Sequence, residues 1–137
     1  MNATILAICA YIVWTMLLLL ALAIYRSVSN KKNNRTSLKF DPNGNDVSDF
    51  GQRITRAHAN CYESAIFVVA PMLLALATNS SIITNSLAFL VIAARIAQSC
   101  VHLISVSNIA ITVRFLLFLV QFAIAGFWLF KIVMKFI

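Results

Sequence analysis

Acidic residues are nearly missing from this sequence. The 137-residue chain has four, Asp41, Asp46, Asp49 and Glu63, against eleven Lys and Arg, and charged residues of both signs make up only 11% of it. Two histidines, His58 and His102, with a single acid inside an apolar stretch do not make a metal cluster, so no metal site is expected. Cysteine is equally sparse. Cys9, Cys61 and Cys100 are odd in number and far apart, which excludes a disulfide framework and suits no metal-ligand spacing. Cys61 and Cys100 read as small packing residues.

What the chain has in abundance is apolar surface. Hydrophobic residues reach 61% and the mean hydropathy is +0.89, more than a soluble domain of this size can bury, so the class is an integral membrane protein. The formal charge of +7 is unevenly spread. Arg26, Lys31, Lys32, Arg35 and Lys39 share one polar segment, and Lys131 and Lys135 lie near the end of the chain. Nucleic acid would need a solvated basic face with interleaved aromatics. These basic residues abut apolar spans instead, the pattern of topology signals and contact with anionic membrane lipid, and no nucleic-acid partner is expected.

Ala3 to Tyr25 is free of charge and long enough to cross a bilayer, which takes roughly 20 residues. With no basic residue ahead of it, it reads as a retained first transmembrane helix rather than a removed signal peptide. Arg26 to Ser48 is a polar loop with Pro42 and Gly44 as turn residues. Asp49 and Gln52 have the spacing of a helix cap, and helix two runs from about 49 to 77 with Pro71 as a kink or local loosening. Helix three is expected over about 82–104 and helix four over about 109–136, joined by short turns that make neighbours antiparallel. The fold class is therefore all-α: one four-span transmembrane bundle covering residues 1–137. The basic first loop places that end of the bundle in the cytoplasm, with Lys131 and Lys135 a weaker signal in the opposite sense.

Polar residues inside these spans carry the functional information. Arg53, Arg56, Asn60 and Glu63 stand at i, i+3, i+7 and i+10 of helix two and are read as one stripe. Arg95, Gln98 and His102 stand at i, i+3 and i+7 of helix three, and Arg114 and Gln121 are seven residues apart in helix four. Arg95 is ~15 Å from the cytoplasmic end of its helix, Arg56 about 10 Å into helix two and Glu63 about 20 Å, so one polar cavity can contain them all. Four arginines against one glutamate leave a surplus of three positive charges. Glu63 can pair with one arginine, with Arg95 or Arg56 the best placed, and cannot neutralise the rest. A guanidinium cannot escape burial by losing its proton, so the remainder needs water, lipid phosphate or an anionic ligand. Arg53 and Arg114 lie near the interface and can also snorkel to headgroups. His58 points off the stripe and reads as a structural or rim residue, and the Phe-rich surface of helix four as lipid contact.

The run Arg53-x-x-Arg56-Ala57-His58-x-Asn60-x-x-Glu63, followed by Ala94-Arg95-Ile96-Ala97, resembles the MAPEG family, the membrane-associated proteins in eicosanoid and glutathione metabolism. The resemblance extends over nearly the whole chain. It implies a homotrimer that binds glutathione in a cytosol-facing pocket between subunits, and a glutathione transferase or peroxidase acting on a lipophilic small molecule. By position it implies that Arg53, Arg56, Asn60, Glu63 and Arg95 hold glutathione or brace the residues that do. His102 stands where the better-known enzymes have a tyrosine touching the tripeptide, and Gln98 where they have tyrosine or histidine. Arg26, ending helix one, is a looser match to another family arginine. Arg114 is the candidate for the catalytic arginine of helix four, twelve residues past His102, a few more than the family spacing implies. The implied location is the inner membrane of a bacterium or the endoplasmic reticulum of a eukaryote.

The residues agree with this chemically. Glutathione carries two carboxylates and one amine, which complements a surplus-positive pocket with one acid, and a guanidinium in a dry site favours the nucleophilic thiolate. Two other readings are a non-catalytic lipid-binding or scaffold protein of the same fold, which the presence of Arg114 disfavours, and a small multidrug transporter. The latter relies on an acid in its first helix, and none stands between Ala3 and Tyr25.

Overall fold

Long apolar runs without helix breakers set the architecture. The computed structural model describes residues 2–34, 37 and 39–137, so Arg35 of the basic loop lies outside the described residues. The chain forms α1 (Ala3–Lys32), α2 (Asp49–Ala77), a four-residue α3 (Ile82–Asn85), α4 (Ala88–Ile104) and α5 (Asn108–Phe136), with no strand among the described residues. The four long helices pack as a membrane bundle. Of these, α1, α2 and α5 are long and apolar enough to cross a bilayer; α4, at 17 residues, is apolar but shorter.

The boundaries differ from expectation in three places. α1 continues seven residues past Tyr25, because Arg26 to Lys32 loses apolarity without introducing Pro or Gly. Leaving the hydrocarbon ends lipid contact and not the helix; Lys31 and Lys32 in the last turn suit the helix dipole. The cap of α2 is Ser48, whose Oγ accepts from the Gly51 N–H, while Asp49 is already in the first turn. Helix three is broken: Ser86 and Leu87 interrupt it, with Leu87 at φ −113° and ψ 0°. By contrast α2 passes through buried Pro71 without a break, losing the one hydrogen bond that proline cannot donate.

Both ends of the bundle are laced by side chains. At one end Thr4 Oγ1 meets Thr84 Oγ1 at 2.7 Å and the Thr4 N–H donates to Asn85 Oδ1 at 2.9 Å. At the same end Lys135 Nζ donates to the Thr78 carbonyl at 3.2 Å and Ser80 Oγ at 2.6 Å, so this lysine caps the C-terminus of α2. A core of Ala7, Ile8, Tyr11, Val68, Met72, Ala88, Val91, Ile92 and Trp128 fills the middle. At the other end, the loop end, Gly51 allows α1 and α2 to close. A Cβ there would stand 2.5 Å from the Tyr25 ring, whose hydroxyl meets Ser48 Oγ at 2.8 Å. The expected Phe-rich face of α5 points outward, with Phe115, Phe122, Phe127 and Phe130 exposed.

Candidate functional site

The N-termini of α2 and α5 and the C-terminus of α4 meet at the loop end. Arg53, in the second turn of α2, donates from Nε to the Leu103 carbonyl at 2.9 Å, satisfying one of the carbonyls left open at the end of α4. Arg114, in the second turn of α5, donates from Nη1 to His102 Nδ1 at 2.5 Å. Together with Arg56, Gln52 and Val106 these residues line a cavity of about 260 Å³ that contains no carboxylate. Arg56 is exposed and makes no hydrogen bond of its own among the described residues. Three guanidiniums and an imidazole with no acid among them give the cavity a surplus of positive charge that is complementary to an anion.

A guanidinium is donor only, so the Arg114 contact requires a lone pair on His102 Nδ1 and places the ring proton on Nε2. Deeper in the bundle, one turn along α4 and two along α5, Gln121 Nε2 donates to Gln98 Oε1 at 3.0 Å. The pairs His102–Arg114 and Gln98–Gln121 are successive rungs between antiparallel α4 and α5. Both glutamines are buried, so Gln98 supports the cavity and does not line it.

Arg95 lies deeper still. It is 1% exposed, donates from Nη1 to Asn60 Oδ1 at 2.6 Å, and stands 5.9 Å from the centre of the Tyr11 ring. Among the described residues its Nε and Nη2 find no partner. Behind it Cys61 Sγ contacts Ser99 Oγ at 3.4 Å, and the Tyr11 hydroxyl donates to the Cys61 carbonyl at 2.5 Å. Cys61 is wholly buried, a packing residue as expected.

The single cavity containing every polar residue is therefore not what forms. Arg53, Arg56, His102 and Arg114 converge; Arg95 and Asn60 pair separately; Glu63 faces outward and makes no ion pair with Arg56 or Arg95. Position along α2 and around it both contribute. At 3.6 residues per turn Glu63 stands about 80° round the helix from Arg53, and Asn60 lies about two turns deeper than Arg53, level with Arg95 and not with His102. Arg26 is also elsewhere, over the Phe40 ring at 5.2 Å in a smaller hollow with Asn30 and Lys31. His58 is half-buried beside Tyr62, with ring centres 5.8 Å apart. Gln52 lines the cavity although sequence reasoning took it for a capping residue; its place next to Arg53 and four residues before Arg56 was the available signal.

Compared with models of known families, residues 4–134 match the MAPEG family. Among curated proteins and solved structures nothing matches at a significant level.

Proposed function

The chain belongs to the MAPEG family of membrane proteins linked to glutathione metabolism, and from that premise we propose that it is a glutathione-dependent transferase or peroxidase acting on lipophilic electrophiles. The observation that carries the reading is the acid-free cavity shared by Arg53, Arg56 and Arg114. It supplies forked donors for the two carboxylates of glutathione and one more for its thiolate.

Arg53 and Arg56 hold the carboxylates, and Arg114 stabilises the thiolate at the entrance to α5. The thiol proton leaves to water. In the transferase reaction the sulfur lone pair forms an S–C bond to the electrophile, whose leaving group departs with the electron pair of the broken bond. The electrophile comes from the bilayer, so the protein needs no nucleophile of its own. Glu63, exposed about 21 Å along α2, meets the glutathione amine across an interface between subunits of a homotrimer. This reading keeps the basic loop, and with it the cavity, on the cytoplasmic side.

A second reading is a non-catalytic lipid-binding or scaffold protein of the same fold. It is favoured by Arg114 already donating to His102, and by Arg95 and Glu63 standing outside the cavity. One experiment separates the two: glutathione conjugation to a generic aromatic electrophile by purified protein, wild type beside Arg114→Ala. The enzyme reading expects turnover that falls by about 100-fold in the variant. Turnover unchanged by the substitution removes Arg114 from the mechanism. Absence of both turnover and glutathione binding moves the conclusion to the scaffold.

A further inference from the structure

We propose that His102 is the positioning residue for Arg114, fixing the guanidinium over the cavity from a point on α5 that could not otherwise hold it there. The inference rests on the enzyme reading only for its kinetic consequence; its geometry stands apart.

Arg114 is half-buried at the edge of the lipid, in the second turn of α5. A free arginine there has an easy alternative, since its long side chain can run toward headgroups and away from the bundle. Its neighbours one turn away on α5, Ala110 and Phe118, offer no acceptor, and among the described residues His102 is its sole hydrogen-bond partner. Nη1 lies 2.5 Å from Nδ1 and 3.4 Å from Nε2, so Nδ1 is the nearer ring nitrogen.

His102 is suited to this in three ways. It lies in the last turn of α4, where the Arg53–Leu103 bond ties that turn to α2. It is half-buried, with less rotamer freedom than an exposed side chain. Its other charged neighbours in the cavity, Arg53 and Arg56 on α2, are cations that cannot compete for Arg114. The one membrane-embedded acid, Glu63, is turned outward and does not face the ring. An imidazole lone pair is thus the acceptor that keeps Arg114 inside a cluster of like charges without neutralising it. A carboxylate at position 102 would bind the arginine more strongly and cancel the charge that an anionic ligand needs.

The test uses full-length protein in detergent. Nitrogen-15 spectra of histidine-labelled wild type should show His102 as the Nε2–H tautomer with an unprotonated Nδ1, and Arg114→Gln should convert it to a tautomer mixture. In kinetics, His102→Phe should lower kcat for glutathione conjugation by about 100-fold, the scale of a roughly 1 Å misplacement, with KM little changed. His102→Asn, whose Oδ1 stands close to where Nδ1 was, should restore most of it, which a purely structural role for the ring would not permit. A proton on Nδ1, or a tautomer indifferent to Arg114→Gln, overturns the inference whatever the activity. Wild type without glutathione turnover overturns the enzyme reading instead, and the tautomer then decides this inference alone.

Discussion

Arg95 Nη1 and Asn60 Oδ1 are 2.6 Å apart, one on α4 and one on α2, and the cation has no carboxylate beside it. A guanidinium so deep in an apolar bundle is held by neutral dipoles and by the face of Tyr11, at 5.9 Å. Removing its strongest acceptor leaves buried donors unsatisfied. Asn60→Ala should therefore lower stability by about 2 kcal/mol, the scale of a hydrogen bond to a charged group, read as reduced resistance to thermal unfolding in detergent. Asn60→Asp puts a carboxylate at the same place and should recover at least the lost stability. Equal stability of Asn60→Ala and wild type would mean that the pair is idle.

Arg56 and Arg53 should separate binding from folding. Arg56 is exposed and unbonded among the described residues, so Arg56→Met should change stability by no more than ~0.5 kcal/mol. It should raise KM for glutathione about tenfold with kcat retained, the mark of an interaction made equally in ground and transition states. Arg53→Lys keeps the charge but loses the Nε donor to Leu103, and should cost about 1 kcal/mol of stability as well. Unfolding curves and steady-state kinetics on the two variants check both statements.

The extent to which the sequence foretold this arrangement depends on the feature. The bundle and the limits of α2 and α5 were legible because a charge-free apolar run leaves the backbone no economical alternative to a helix. The broken third helix was not, since Ser86 and Leu87 carry no breaker signal. Convergence of Arg53, Arg56, His102 and Arg114 was readable only from their places near the loop ends of three helices; their heptad partners Asn60, Arg95 and Gln121 stand outside the cavity. Reading i, i+3, i+7 and i+10 as one stripe misplaces Glu63, because ten residues on it stands about 80° round the helix from Arg53 and faces outward. His102–Arg114 had no local signature, because the two residues share neither a helix nor a turn.

Ligand charge should govern affinity for the arginine cavity. Glutathione esterified at both carboxylates should bind at least tenfold more weakly than glutathione, a loss of about 1.4 kcal/mol. Binding of the parent tripeptide should weaken as salt is raised, because the cavity opens at the loop end where counterions reach it. Isothermal titration at two ionic strengths, with the ester as a control of reduced salt dependence, measures both. Ester and acid of equal affinity would assign the cavity no part in binding the carboxylates.

Glu63 decides whether the site needs a second copy. An exposed carboxylate about 21 Å along a helix that crosses a bilayer faces hydrocarbon in an isolated subunit, at a cost of roughly 2.5–3.5 kcal/mol even on the lenient insertion scale. Covering by another subunit removes that cost, provided the neighbour brings a donor. The exposed side of α2 that carries Glu63 and, three residues on, Ile66 should then be an interface. Ile66→Cys in protein otherwise free of cysteine should crosslink copies pairwise in native membranes, one thiol joining at most two chains, and the mass of the intact detergent complex should then report trimers. Glu63→Leu should leave the isolated fold intact, since the carboxylate makes no bond among the described residues, but should abolish measurable glutathione binding. Protein that is monomeric in membranes and binds glutathione with Glu63 replaced would show that one subunit holds a complete site.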